Sequence, residues 1–349
     1  MSEPENPERA DHGLASWFQA IGGRTLGAQE DATALGVCRA LIAGILFLSA
    51  FAHVGSVGDY FSDQSMLNGR FAELAFPSRW SLFFTITEPT AVRVVWAVGV
   101  AALGLWCVGL FTRVSAVVGM LLWASMYGRN PLLYAYPDQL GMMLGMLLAL
   151  MPTGRGFSLD ARWRGLGGTV PIWCRRAIQL QVAIMYTATG IEKSGPGWHE
   201  DHTAVYYTVL NPYNRHFDMG PLAASIQSWL LKPATIAVRY WETWFWTFLV
   251  YHWCYEAVGK RLPAWGERRE AGERGWRLPD LRWVFLLFGV GMHIGIQVAV
   301  YVLFFSVLCV FTYASFFSSE EMYAIVARGK RLLRRGRSEP DEPAPAPAS

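Results

Sequence analysis

Apolar residues along this chain come in long runs rather than in alternation. Ala34–Val54 is the clearest, and similar runs follow at intervals up to residue 318. About 20 apolar residues, rising 1.5 Å each, cross the hydrocarbon core of a bilayer as a helix. The pattern therefore predicts an all-α fold, a polytopic membrane helix bundle of about eight transmembrane segments. These fall roughly at 34–54, 91–112, 114–129, 138–152, 172–192, 234–257, 283–300 and 301–318. The third and fourth are short and read as tilted spans or as a buried hairpin around Arg129–Asp138; omitting both leaves the parity unchanged. The last two require a tight reversal near Val300, or a turn somewhat later.

Three regions follow from the same pattern. Residues 1–29 are a polar segment whose stretch 14–28 suits an interfacial amphipathic helix interrupted by Gly22 and Gly23. Residues 30–320 form the transmembrane domain, and 321–349 are basic, then Pro/Ala-rich, with the stretch after Arg337 expected to be disordered. The chain shows no internal repeat and no continuous apolar stretch among its first 33 residues, so the first membrane helix is expected to act as an uncleaved signal.

Composition agrees: 53% of residues are hydrophobic and 16% charged, against about 25% charged in a soluble domain. Cys38, Cys107, Cys174, Cys254 and Cys309 form no C-x-x-C pair and read as small buried apolar residues rather than as a disulfide or zinc framework. The net charge of +3 matters through its distribution. Basic residues crowd the loop from Arg155 to Arg176, the loop from Lys260 to Arg282 and the tail from Arg328 to Arg337, while the alternate loops hold few. The positive-inside rule then places both termini in the cytoplasm and Lys193 on the outer side, roughly 26 Å of helix beyond Arg176. The basic excess argues topology, not nucleic-acid binding. No phosphate-binding glycine loop, nucleophile elbow or haem-attachment motif occurs.

The chemistry-bearing residues concentrate in QVAIMYTATGIEKSGPGW, Gln181–Trp198. Polar side chains inside an apolar helix need partners within the bundle, because lipid offers none. Gln181 and Thr189 share one helix face, and Tyr186 and Lys193, seven apart, nearly share another, so the latter two can line one cavity. Two readings of Lys193 stand: a desolvated base whose neutral amine is available, or an anchor that snorkels to the interface with Trp198 as a belt residue. Glu192 opposes the first reading if it meets the amine, but adjacent helical residues diverge by about 100°.

Further groups were weighed in the same way. Trp198-His199-Glu200-Asp201-His202 lacks an evident third metal ligand and reads as a solvated loop, so no metal is predicted. AVYYTVLNPYNRHF, 204–217, suits an interfacial helix with Tyr206 and Tyr207 at headgroup level. His293 and Gln297 sit four apart on one helix face at mid-membrane, as functional groups or as a helix–helix hydrogen bond. Arg239 with Glu242, and His252 with Glu256, suit local ion pairs; Asp138 suits a helix cap; Arg39 is expected to snorkel.

The order Gln181, Tyr186, Gly190, Lys193, Trp198 (Q-x4-Y-x3-G-x2-K-x4-W), followed by Thr203–Tyr207, resembles the membrane domain shared by vitamin K-dependent gamma-glutamyl carboxylases and bacterial HTTM (horizontally transferred transmembrane) proteins. Gly109–Arg113, Arg129-Asn130-Pro131, Ser158-Leu159-Asp160 and a late His293 add to the likeness, which covers about residues 30–320. In the carboxylases the matching lysine deprotonates reduced vitamin K. The resemblance therefore implies Lys193 as base with His293 as a second catalytic group, and Tyr186, Gln181, Gln297, Trp198 and Asp138 around reduced vitamin K or another quinol, in a bacterial cytoplasmic membrane.

Two departures qualify what is implied. The carboxylases carry a histidine shortly before the fourth span, where this chain reads Tyr134-Ala135-Tyr136-Pro137-Asp138, with Asp138 as a candidate substitute. They also continue into a large lumenal domain, where this chain has a short basic tail, so the expectation is a relative that keeps the quinone-type cavity or works with a peptide, protein substrate or soluble partner on the outer side. The alternatives are a non-catalytic factor for maturation or export of a secreted peptide, as in SdpB-type relatives, and a structural bundle whose partner is membrane lipid.

Overall fold

The computed structural model describes residues 27–257 and 279–335. The Pro/Ala-rich tail, most of the 14–28 stretch and the basic loop Lys260–Arg277 lie outside the described residues. Ten helices of eight or more residues are found among those described, numbered here α1 Thr33–Phe51, α2 Pro89–Val108, α3 Thr112–Arg129, α4 Tyr136–Leu150, α5 Trp173–Glu192, α6 Lys232–Thr243, α7 Phe245–Ala257, α8 Arg282–Ala299, α9 Phe305–Thr312 and α10 Ser319–Arg335. Two short strands, β1 Gln29–Asp31 and β2 Thr169–Pro171, pair antiparallel. By length and composition α1, α2 and α8 can each cross a membrane, and Pro137–Leu150 and Phe305–Phe316 are shorter apolar helices.

Local signals explain where several helices begin and end. The Glu88 carboxylate caps α2 by accepting the Thr90 and Ala91 N–H groups at 2.9 and 2.7 Å, and Pro89 sits at the first turn, where its missing N–H is harmless. α2 stops at Gly109, whose φ of 76° is left-handed and natural for glycine. The segment expected as one helix over 234–257 is two: α6 ends at Thr243 and α7 starts at Phe245. The reversal expected near Val300 comes later, at 301–304.

α1 packs on α2, α4 and α9; α2 on α3; and α5 on α6 and α7. Both ends of the bundle meet on one face. Ser319 Oγ donates to Asp31 O at 2.8 Å and accepts the Ala34 N–H at 2.9 Å, and the Tyr323 and Thr33 hydroxyls are 2.6 Å apart. α5 leaves this face directly after β2 and runs 20 residues, roughly 30 Å, so Lys193 at its far end lies on the opposite face.

The motifs at the strand-bearing face form a clasp. Asp160 accepts the N–H groups of Phe111 (3.0 Å) and Thr112 (2.8 Å) and the Thr112 hydroxyl (2.6 Å), and its own N–H donates to Gly109 O at 2.9 Å. Burial would raise the Asp160 carboxyl, but these bonds and Arg164 hold it below the usual carboxylate value. A Cβ at Gly109 would fall 2.4 Å from Ser158 Cβ, so only glycine permits this approach. Arg39 does not snorkel. Its side chain is fully buried and donates to Thr153 O and Phe157 O, offered by the chain that folds over it after α4, and to Cys107 O at the end of α2. Toward the other face, Arg129 donates to Ser62 O and Ser65 Oγ, both at 2.7 Å, and Asn130 to Tyr60 O, which anchors the loop after α1.

Two polar clusters lie inside the helices at different depths. Near β1, Arg175 bonds Glu30, Glu256 and Ser315 O; Arg176 reaches Glu256 at 3.3 Å; and His252 stands 3.9 Å from the same carboxylate. The second cluster surrounds Tyr186. Phe245, Phe248, Phe285 and Phe316 pack ring against ring between the two.

Candidate functional site

The far end of α5 holds the candidate site. The Lys193 ammonium forms an ion pair with Glu242 of α6 and donates to Thr189 O at 3.3 Å, one turn back on its own helix. Thr189 Oγ1 donates to the same Glu242 oxygen at 3.2 Å. Side-chain exposure is 19% for Lys193 and 10% for Glu242, so the pair is largely withdrawn from solvent. The Lys193 Nζ also lies 5.3 Å from the centre of the Trp198 ring, a cation–π distance.

Close approach of α5 and α6 makes this pairing possible. A Cβ at Gly190 would come within 2.3 Å of Thr243 N, so the helices touch backbone to backbone at that glycine. The approach brings Glu242 to Lys193. Glu242 was expected to pair with Arg239 three residues back; instead the Arg239 guanidinium stacks on Tyr240 at 5.2 Å.

Two turns deeper, the Tyr186 hydroxyl hydrogen-bonds His293 Nε2 at 2.6 Å and the Tyr313 hydroxyl at 2.9 Å. All three residues are buried. Trp241, next to Glu242, meets the Tyr186 ring edge-on at 4.9 Å, and Phe245 stacks on it at 4.8 Å. The ion pair and the hydroxyl–imidazole network thus share one aromatic wall. His293 Nδ1 and Gln297 Oε1, one turn apart on α8, are shielded from solvent and have no hydrogen-bond partner among the described residues.

Of the residues singled out in the sequence, Lys193, Trp198, Tyr186 and His293 gather in this half of the bundle. Gln181 does not join them: its amide faces Met143 Sδ at 3.7 Å on α4. Asp138 accepts the Ala135 N–H at 2.9 Å at the start of α4 and lines a small cleft with Ser49, Trp123 and Leu303, without contact to Lys193. The His199 and His202 rings donate to Lys193 O and Trp198 O, both at 3.0 Å, and close the loop beneath the amine. Among the described residues no group of three His, Cys, Asp or Glu side chains is placed to hold a metal ion. The helix expected over 204–217 covers only Ala204–Leu210 and ends before Asn211-Pro212; in it Tyr206 and Tyr207 meet edge to face.

Three residues of the interior escaped the sequence reading: Glu242 as the lysine's partner, Tyr313, and Gln179. Gln179, not Gln181, is the buried amide of α5, donating to Ser315 O and accepting from Trp253 Nε1, both at 2.6 Å. A tyrosine in an apolar run is a usable signal, because a buried hydroxyl needs a partner.

Three helices long and apolar enough to span a bilayer, in a bundle of further apolar helices, mark a helical membrane protein. Residues 28–254, more than half of the chain, match the HTTM domain, and the chain belongs to that family. A comparison with curated proteins found no match, and neither did one with solved structures.

Proposed function

We propose that this HTTM-family membrane protein takes up a lipophilic acid of the quinol type at the Lys193 end of the bundle and exchanges a proton with it. One observation carries the reading: the Lys193 ammonium turns inward to Glu242 instead of outward. An anchoring lysine extends its stem toward the headgroups and keeps its charge in water. A pair drawn out of water pays a desolvation cost that a purely structural role repays poorly.

The pair can share a proton. Its transfer from Lys193 to Glu242 leaves a neutral amine beside a carboxylic acid, and the amine is then free to accept a proton from a ligand hydroxyl. Trp198 lies against the ammonium, and Trp241 packs on the Tyr186 ring two turns deeper. Reduced vitamin K or a related quinol would supply the weakly acidic hydroxyl. The unpartnered Gln297 Oε1 and His293 Nδ1 fit such a ligand, since a hydroxyl can satisfy either atom. In this reading the site opens on the outer side, both termini are cytoplasmic and the bundle crosses the membrane about eight times, as the arginine distribution suggests.

The test is binding of a reduced quinone to the purified protein in detergent, with wild type compared with Lys193→Ala, Lys193→Arg and Glu242→Gln. Saturable binding is expected, and because the quinolate formed by proton loss is the form that dissolved oxygen oxidises, oxygen-dependent consumption is expected too, lost in both Lys193 variants. Arginine keeps the charge but cannot supply a neutral amine. Consumption that survives Lys193→Arg would overturn the proposal.

A further inference from the structure

A groove of about 800 Å³ opens on the arginine-rich face, far from Lys193. It lies where α2 turns into α3, bounded by Phe111–Val114, by the loop after α4 and by the glycine-containing stretch 166–169. Thr169 of β2 lines it, so it sits on the face where both ends of the bundle meet.

The charge in this groove is unbalanced. Asp160 is taken up by Thr112, Phe111 and Arg164, and the Arg164 guanidinium also stacks on Phe111 at 5.1 Å. Arg113 and Arg155 are exposed, and neither pairs with a carboxylate among the described residues. Arg155 Nη1 donates to Thr169 O at 3.0 Å, which fixes that guanidinium at the groove wall. Two uncompensated guanidinium groups beside a recess suit a phosphate oxyanion.

The surroundings indicate where the phosphate comes from. Val114 lines the groove and is 68% exposed. Val117 and Leu121, three and seven residues further along α3, are also exposed and continue the same helix face away from the groove. Phe111 and Leu166 are exposed at the rim. A free anion needs only the basic end of such a site; a basic end that runs into an apolar stripe matches a headgroup joined to an acyl chain.

We propose that this groove binds an anionic membrane phospholipid, its phosphate held between Arg113 and Arg155 and an acyl chain lying along Val114, Val117 and Leu121. The site is independent of the proton chemistry proposed for Lys193.

Native mass spectrometry of the full chain in mild detergent tests it, titrated with phosphatidylglycerol or phosphatidylcholine. Wild type should retain phosphatidylglycerol preferentially, and the R113Q/R155Q variant should lose about 30-fold of that preference, at roughly a factor of five per basic residue. A large excess of inorganic phosphate should displace little of the lipid. Equal retention of the two lipids, an unchanged preference in the variant, or full displacement by phosphate would each overturn the proposal. Should the double variant fail to fold, Val117→Asn probes the acyl path instead. It should weaken lipid retention while wild-type helicity persists, and unaltered retention would overturn the proposal.

Discussion

Replacing Lys193 by methionine removes the cation but keeps most of the apolar stem, so the loss reports on the ion pair rather than on packing. Glu242 would then be left largely buried, with Thr189 Oγ1 as its remaining hydrogen-bond donor. Removing one partner of a buried pair costs about 3–5 kcal/mol. The 19% exposure of Lys193 lets some water in and favours the lower end, about 3 kcal/mol. At about 2–4 °C per kcal/mol, the melting temperature should fall by about 6–12 °C. Glu242→Gln should cost a similar amount, because it strands the ammonium. The double variant Lys193→Met/Glu242→Gln removes both charges and should recover most of the loss, ending within about 1 kcal/mol of wild type. The assay is thermal unfolding in detergent, followed by tryptophan fluorescence with Trp198 and Trp241 near the site and by circular dichroism for helix content. With single losses of about 3 kcal/mol each and a double loss of at most about 1 kcal/mol, the coupling energy from this cycle should be about 5 kcal/mol. Single effects that add within about 0.5 kcal/mol would refute the reasoning, because they would mean that the two charges do not feel each other.

Other consequences can be checked with the same preparation. Gly190→Ala places a methyl against the Thr243 backbone and should lower stability by about 1–3 kcal/mol while separating α5 from α6; loss of the Lys193–Glu242 coupling in that background is the diagnostic measurement. Tyr186→Phe leaves His293 Nε2 and the Tyr313 hydroxyl without their shared partner and should cost about 1–3 kcal/mol in thermal unfolding, with helix content unchanged. The Asp160 carboxyl titrates below its unfolded value of about 4, so it stabilises the fold above that pH and the stabilisation is lost as pH falls through the folded value. Accordingly the gap in melting temperature between wild type and Asp160→Asn should be full at pH 6 and shrink below about pH 4; a gap that stays constant with pH would contradict the assignment.

Much of the architecture was legible because bilayer thickness dictates helix length, and apolar runs report it directly. Thr33–Phe51, Pro89–Val108 and Arg282–Ala299 fall within a few residues of where those runs lie. Tyr186, Lys193, Trp198 and His293 stood out because polar groups within apolar helices are conspicuous. What stayed hidden was the choice between local and distant partners. Glu242 has Arg239 within reach on its own helix, and only the approach permitted by Gly190 decides for Lys193. Gln179 and Gln181 point about 200° apart on α5, so a one-step error in helical phase exchanges a buried amide for one facing α4. The break at Trp244 carries no proline or glycine and left no mark in the residue pattern. Arg39 was misread because the carbonyls that hold it come from chain 68 to 118 residues away, beyond any local rule.

The phenylalanine layer between the two polar clusters carries no charge and no hydrogen-bonding side chain of its own. Phe245 and Phe316 are fully buried, and with Phe248 and Phe285 they fill the space between the Tyr186 ring and His252. If Lys193 exchanges a proton as proposed, the layer favours its arrival and departure by the side on which Lys193 lies. Under the proposed function, turnover should then show no dependence on membrane voltage. Liposomes held at a set potassium diffusion potential would reveal a voltage-dependent rate if the layer conducts.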